Sequence, residues 1–136
     1  MYPPPAFAVQ DTAEIERLLR EVGLGALVTH GAEGFTVTHM PFVAVQGRAL
    51  HGHMANFNPQ HHVGEASAVA IFQAAEAYVT PAFYPAKAEH GRVVPTWNYE
   101  TLHVHGRLRW TTDPVWLRAH LEALTDRFEA GQDEPW

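Results

Sequence analysis

The segment from Glu76 to Gly106 constrains the fold most, because prolines interrupt a sheet-forming sequence that later resumes. Pro81, Pro85 and Pro95 lie within it, and proline fixes φ and lacks a backbone N–H donor. Residues 80–95 therefore have to lie outside the strand ladder. This loop is rich in aromatic and hydrogen-bonding side chains, which is typical of a ligand site on a rigid scaffold.

Short runs of alternating or continuous apolar residues separated by glycine-rich turns predict about six strands, mostly antiparallel. They cover residues 25–30, 35–45, 48–55, 67–74, 76–81 and 96–111. Three helices are predicted at 11–23, 59–63 and 114–128, capped by Asp11, Asn58 and Asp113. This pattern predicts a mainly β (α+β) fold, an antiparallel barrel with helices packed outside it.

Three local features refine this prediction. Pro41 should interrupt the ladder of the second strand at an edge or a bulge. A turn is expected at Gln46-Gly47. In the last helix, one apolar stripe is predicted to face the core, and it consists of Leu117, Leu121, Leu124 and Phe128.

Composition excludes several classes of protein. A chain of 136 residues is one domain, here residues 1–136, and without cysteine it has no disulfide or thiolate site. The net charge is −6 and Lys87 is the only lysine, so the chain lacks the basic face of a duplex-binding domain. There is no signal-peptide pattern and no apolar run of about 18 residues, so we expect a cytoplasmic protein.

Two histidine pairs offer an alternative, a metal site. His51 and His53 share one face of a strand, as do His103 and His105. If these two strands are neighbours, four imidazoles converge in a set that zinc, copper or iron accepts. Otherwise they are lining histidines that hydrogen-bond to solvent or to a ligand, and we expect no metal.

No catalytic residue is predicted. Ser67 is the only serine and lacks the motif of a nucleophile, and phosphate-binding loops and paired carboxylates are also absent. The residue types favour ligand binding instead. Stacking on a planar ring is possible for Tyr84, Trp97 and Tyr99, and hydrogen bonds to the edge of that ring are possible for Asn56, Thr96 and Asn98. The residue types fit equally well with a second interpretation, in which these aromatic side chains only pack in the loop and the interface core.

The segment 53–58 is a second candidate site. It leads from a predicted strand into a short helix with Asn58 at the cap and Pro59 at the first position. Free backbone N–H groups at such a junction are suited to an anion.

Motifs along the whole chain resemble the PaiB-type FMN-binding negative transcriptional regulators. They are MYPPPAF (1–7), THMPF (38–42), HGHMANFNPQ (51–60), YVTPAFYPAK (78–87), EHGRVVPTWNYETLHVHGRL (89–108) and LTDRFE (124–129). The resemblance implies an FMN-binding split β-barrel that forms a homodimer with the flavin at the subunit interface.

The resemblance also implies which residues bind the cofactor. The FMN phosphate would lie at the strand–helix junction, near His53 and Asn56. The isoalloxazine edge would lie along the strand with Thr38 and His39, and Thr96, Trp97 and Asn98 would complete the pocket. Lys87 would offset negative charge on the phosphate or on the ring.

Members of this family continue into a segment rich in basic residues, so the resemblance implies that this chain lacks a C-terminal segment. Because the charge of −6 disfavours direct DNA contact, we expect any regulation to act through partners or redox state. We expect a regulator rather than an enzyme. The alternatives are a flavin-dependent reductase or oxidase, a haem- or metal-using split-barrel enzyme, or a dimerisation module without cofactor.

Overall fold

The computed structural model describes residues 2–45, 49–134 and 136. The helices are α1 (Thr12–Glu21), α2 (Ala86–His90) and α3 (Pro114–Glu129), and short 3₁₀ helices cover Pro5–Phe7, Pro59–Val63 and Pro81–Phe83. The strands are β1 (Leu24–Gly31), β2 (Gly34–Val45), β3 (Ala49–Gly52), β4 (Ala66–Val79) and β5 (Thr96–Leu108). No helix among the described residues has the length and apolar character needed to cross a membrane.

The five strands form one antiparallel sheet in the order β3-β2-β1-β4-β5, which confirms the mainly β, α+β class. β3 and β5 are its two edges, so the sheet is open and its closure into a barrel stays a prediction. The described residues form five strands instead of the expected six, because residues 67–74 and 76–79 belong to one strand. A bulge between Gln73 and Glu76 places two alanines of β4 opposite a single residue of β5, and the ladder continues beyond it.

Pro41 does not interrupt β2, contrary to the sequence prediction. It pairs with Leu24 at the end of β1, and the next residue, Phe42, pairs with Gly52 of β3. The proline therefore lies where β2 stops pairing with β1 and begins to pair with β3. The turn predicted at Gln46-Gly47 lies outside the described residues.

Two aromatic rings from different strands meet at the centre of the core. Phe72 of β4 is 1% exposed, and its ring meets that of Phe42 of β2 edge-on, with centroids 5.4 Å apart. β1 lies between these strands, and a Cβ on its Gly25 would stand only 2.8 Å from the Phe72 ring. Gly25 thus allows the rings to meet across β1, a contact that stabilises by about 1 kcal/mol beyond burial.

The predicted helix caps are confirmed. Asp11 Oδ1 accepts the N–H of Ala13 at 2.9 Å, and Asp113 Oδ1 accepts that of Val115 at 2.9 Å. Each cap fixes the residue at which its helix begins.

The inward face of α3 differs from the predicted stripe. Leu117 and Leu124 are half-buried, as expected, but Leu121 and Phe128 leave 45% and 48% of their surface exposed. The buried residue of this helix is His120. Residues 116, 120, 124 and 127 turn inward, so the true inward face includes a histidine and an arginine that an apolar pattern overlooks.

Arg127 joins three elements through its guanidinium group. It donates to the carbonyl of Phe42 in β2 at 2.9 Å and to that of Leu19 in α1 at 3.0 Å, and it also reaches the carbonyl of Arg20. The last turn of a helix leaves such carbonyls unpaired and carries partial negative charge. One planar cation therefore closes the end of α1 and holds α3 against the sheet.

The far half of the β4–β5 hairpin extends beyond the rest of the sheet. β1 pairs with β4 only from Ala68 to Ile71, whereas β4 and β5 stay paired as far as Val79 and Thr96. We call residues 73–101 the arm. It exposes apolar rings, namely Tyr78, Phe83, Trp97 and Tyr99, which are between 52% and 72% exposed. A two-stranded ribbon of this kind is marginally stable on its own.

Replacement of Arg127 by lysine tests its role in the fold. Lysine keeps the charge but cannot reach three carbonyls from a planar group, so we expect the free energy of unfolding to fall by about 1–3 kcal/mol. Urea unfolding measures the loss. The matched control is Arg118→Lys on the exposed side of the same helix, where the one ion pair that Arg118 makes with a described residue is to Glu122 at 3.8 Å. Equal losses in both variants would contradict the role assigned to Arg127.

Candidate functional site

The junction segment, residues 53–58, links β3 to the 3₁₀ helix Pro59–Val63 and is fixed to β2 by its last residue. Asn58 Nδ2 donates to Thr38 Oγ1 at 2.8 Å, while Asn58 Oδ1 accepts the N–H of Gln60 at 2.9 Å. Thr38 is half-buried on the core side of β2. One asparagine thus sets both the start of the helix and its position beside the strand.

Gln60 anchors the 3₁₀ helix onto the sheet from inside. It is 3% exposed, and its Nε2 lies 3.1 Å from the carbonyl of Leu27, 3.0 Å from Thr29 Oγ1 and 3.2 Å from the carbonyl of Thr36. Its Oε1 has no partner among the described residues. Since a buried amide is costly to leave unpaired, these contacts hold the helix at one position.

The structure corrects the expectation that this helix start offers free backbone N–H groups to an anion. Pro59 has no N–H, and the N–H of Gln60 is taken by Asn58 Oδ1. The helix is also only five residues long. An anion at the junction segment therefore depends on side chains, of which His53 and Asn56 are the predicted ones.

His53 pairs with a histidine of α3. Its Nδ1 lies 3.1 Å from Nε2 of His120, and the donor of the two is set by their tautomers. His120 is 4% exposed and stacks on Trp116, with centroids 5.3 Å apart and planes at 15°. His53 itself is half-buried. The junction segment is thereby attached to α3 as well as to β2.

Burial lowers the pKa of His120, and the nearby imidazoles of His53 and His51 lower it further. The folded protein thus keeps this ring neutral, whereas the unfolded chain takes up a proton near the ordinary pKa of about 6.5. Because the unfolded state then binds more protons, stability falls as the pH drops through that value.

The four-histidine metal alternative does not hold within one chain. His51 and His53 belong to β3 and the segment after it, and His103 and His105 to β5. These strands are opposite edges of the sheet with three strands between them, so the four imidazoles do not converge. Within the described ranges, no three His, Asp or Glu side chains form a group that could hold a metal ion.

His51 instead lies against the side of α3 that carries Trp116 and His120. Its ring lies 5.0 Å from that of Trp116 and 6.4 Å from that of His120. His103 and His105 lie side by side on β5, with centroids 6.3 Å apart. Burial is the main cause of the lowered pKa of His103, and the neighbouring His105 contributes to it.

Thr38 and His39 lie on opposite faces of β2, as consecutive strand residues must. Thr38 is on the side of the junction segment, where it binds Asn58. His39 is exposed on the other face, in a cross-strand row with Ala26, Ile71 and His103. The structure therefore places only one of the two predicted contacts beside the junction segment.

Asn56 and Lys87 are both exposed. Asn56 lies in the turn of the junction segment, three residues after His53, and its amide is accessible to a ligand. Lys87 lies in the short helix α2 within the loop of the arm.

Thr96, Trp97 and Asn98 form the first residues of β5 within the arm, opposite Val79, Tyr78 and Ala77. They do not meet the junction segment within one chain. Thr38 pairs with Leu27, Leu27 with Ala70, and Ala70 with Val104, so Thr38 of β2 is level with Val104 of β5. Asn98 lies about 20 Å further along β5, and three strand spacings add about 14 Å sideways.

One face of the β4–β5 pair carries a groove of about 490 Å³, which extends from the arm onto the adjoining part of the sheet. It is lined by Ile71, Gln73, Glu76, Trp97, Tyr99, Thr101 and His103. Gln73 Nε2 donates to Glu76 Oε2 at 2.7 Å across the bulge. The groove combines flat aromatic surface with an acid, an amide and a histidine, which is a composition that binds polar aromatic molecules.

Sequence reasoning missed two contributors to the site. The leucine pattern of α3 does not reveal Trp116 and His120, although their spacing of four places them on one face of the helix. The sequence predicts Asn58 as a cap, but its contact with Thr38 depends on how β2 lies beside the junction segment.

Comparison with known proteins identifies relatives. Protease synthase and sporulation protein PAI 2 of Bacillus subtilis is 29% identical over 99% of this chain and 65% of its own length. An uncharacterized protein of Saccharomyces cerevisiae is 32% identical over 74% of this chain and 64% of its own length. An uncharacterized protein of Emericella nidulans is 29% identical over 73% and 54%. The chain thus spans between 54% and 65% of the length of these curated relatives.

A family model described as "Putative FMN-binding domain" matches residues 1–136, which is the whole chain. FMN is accordingly the cofactor of the family, and the likeness to PAI 2 agrees with the motifs found in the sequence. The chain belongs to this family of FMN-binding domains.

Proposed function

We propose that this chain is a cytoplasmic, homodimeric FMN-binding protein that acts as a PaiB-like negative regulator of transcription. The observation that carries the proposal is the family match over all 136 residues. When bound, FMN supplies a ring that accepts and returns electrons singly or in pairs. The residues of this chain supply the anchor, the pocket wall and the second subunit.

The phosphate anchor is the side of the junction segment with His53 and Asn56. His120 takes Nδ1 of His53, so Nε2 is the ring nitrogen left for a ligand. Asn56 contributes an exposed amide three residues later. These groups fit a phosphate as hydrogen-bond donors, and the anchor has less charge than one built from arginine.

Thr38 rather than His39 would hold the isoalloxazine ring beside β2, because Thr38 shares the side of the junction segment. Thr96, Trp97 and Asn98 complete the pocket from a second copy of the chain. Their distance from the junction segment within one chain supports this assignment. Lys87, which is part of the same arm, then brings the only lysine of the sequence toward the flavin.

The arm is the dimer contact in this proposal. Its exposed rings form an apolar surface on a ribbon that lacks a third strand, and burial against a second copy would stabilise both. Tyr78 and Trp97 already pair edge-on at 5.9 Å, so they present a preformed surface.

Regulation is indirect in this proposal. With nine basic against fifteen acidic residues, the chain repels the phosphate backbone of DNA. A change in the occupancy or oxidation state of FMN would instead alter a surface that a partner binds.

One observation favours the alternative, a flavin-dependent reductase. The groove of the arm, about 490 Å³ in volume, places Glu76 and His103 near Trp97, one of the predicted ring contacts. A substrate bound there would lie beside the flavin of the pocket to which the arm contributes. A carboxylate and a histidine of lowered pKa are suited to proton transfer at such a place.

The phosphate anchor is tested with FMN and riboflavin, which lacks the phosphate. FMN at a hundredfold excess over its Kd should stabilise the protein by about 2.7 kcal/mol in a thermal melt. We expect His53→Ala and Asn56→Ala to weaken FMN binding by about tenfold while riboflavin binding stays unchanged.

The matched controls for these variants are His62→Ala and Asn98→Ala. His62 is exposed on the 3₁₀ helix, and Asn98 belongs to the arm. Loss of FMN binding in His62→Ala to the same extent would contradict the anchor, while Asn98→Ala should weaken riboflavin and FMN alike.

The composite pocket predicts complementation between two defective variants. Trp97→Ser and His53→Ala should each bind FMN poorly as homodimers. Refolded together, they should recover about a quarter of the FMN sites, because half of the dimers are mixed and each holds one intact pocket. Flavin fluorescence titration counts the sites.

In the control experiment, Val115→Ser is refolded together with His53→Ala in place of Trp97→Ser. Val115 is exposed on α3 and lies away from the arm. This variant should bind FMN normally and gain nothing from mixing. If Trp97→Ser binds FMN as the wild type does, or if mixing restores no sites, the two-subunit pocket is wrong.

A third measurement separates the regulator from the reductase. Mixing the FMN-loaded protein with a reduced nicotinamide cofactor should leave the flavin absorbance unchanged over seconds if the chain is a regulator. Bleaching at about 1 per second or faster is the behaviour of an enzyme. We also expect no binding to labelled duplex DNA at about 0.15 M salt.

A further inference from the structure

The contact between His53 and His120 leaves the two rings with different environments. His53 is half-buried, and none of the hydrogen bonds among the described residues occupies its Nε2. His120 is 4% exposed and stacked on Trp116, so it is shielded from any ligand. His120 can therefore act on a ligand only through His53.

The groups around the pair keep His120 neutral. His51 and His53 face it from β3 and the junction segment, and Trp116 covers it on α3. None of the ion pairs among the described residues brings a carboxylate to these three histidines. Burial and the two neighbouring imidazoles lower the pKa of His120.

The 3.1 Å contact holds one proton between the rings. In the neutral pair, the Nε2–H of His120 can donate to Nδ1 of His53, which leaves the proton of His53 on its own Nε2. The opposite arrangement, in which Nδ1–H of His53 donates to a bare Nε2 of His120, would leave Nε2 of His53 without a hydrogen to donate.

We infer that His120 is the donor in this contact, a positioning residue that keeps Nε2–H of His53 available to a phosphate. By donating to Nδ1, the buried ring fixes both the tautomer and the orientation of the exposed one. This inference rests on the proposed phosphate anchor at His53 and identifies the group that prepares it.

The test compares His120→Phe with His120→Gln by the dissociation constants of FMN and riboflavin at pH 8, where the FMN phosphate is a dianion. Phenylalanine keeps an aromatic ring on Trp116 but removes the hydrogen bond, so FMN binding should weaken by about tenfold. Riboflavin binding should be unchanged. Glutamine has both a donor and an acceptor and should restore FMN binding to within about threefold of the wild type.

Nitrogen-15 chemical shifts of the His53 ring provide a readout without any flavin. In the wild type at pH 8 we expect Nε2 to carry the proton and Nδ1 to be bare. His120→Phe should give a mixture of tautomers, and His120→Gln should restore the wild-type pattern. If His120 were needed only for folding, the nitrogen-15 shifts of His53 would not change in a His120 variant that still unfolds cooperatively.

Several outcomes would overturn the inference. These are an equal loss of FMN and riboflavin binding in His120→Phe, no loss of either, or a His120→Gln variant as weak as His120→Phe. If His53→Ala abolishes the preference for FMN but His120→Phe keeps it, the anchor stands and only the role of His120 is wrong. If the wild type binds FMN and riboflavin equally, the anchor itself is wrong and the inference is overturned with it.

Discussion

The structure depends on the contact between Phe42 and Phe72 across Gly25. β1 lies between the strands that carry these rings, and only a residue without a side chain lets them touch at 5.4 Å. Their contact fixes the faces of three adjacent strands at once, because a shift by one residue would turn every side chain to the opposite face. In this register, β2 places Thr38 beside the junction segment and the carbonyl of Phe42 within hydrogen-bond distance of Arg127.

The candidate site is organised by polar contacts around this core rather than by the core itself. Gln60 fixes the 3₁₀ helix to β1 and β2, Asn58 fixes the junction segment to Thr38, and His120 fixes His53 to α3. Such contacts are directional, and leaving a buried partner unpaired costs more than the bond gains. A site held in this way is arranged before its ligand arrives, which reduces the ordering cost of binding.

Local sequence signals predicted local structure well. The caps Asp11, Asn58 and Asp113 each begin a helix where expected, because a cap depends only on the next two or three residues. The prediction failed where a neighbour far along the chain decides. The bulge at Gln73–Glu76 merges two predicted strands because β5 continues opposite both, and Pro41 stays in its strand because β2 changes partners there.

By itself, the sequence determined the class of fold, the helix starts, the loop after Val79 and, through motifs spread over the chain, the family and its FMN cofactor. Only the tertiary structure decided that the histidine pairs of β3 and β5 lie at opposite edges, that His53 meets His120, and that Thr38 and Asn98 do not share a pocket within one chain. The physical reason is that periodicity reports which face a residue occupies within its own element. Strand order and helix docking, which bring distant residues together, depend on packing between elements that no local pattern encodes.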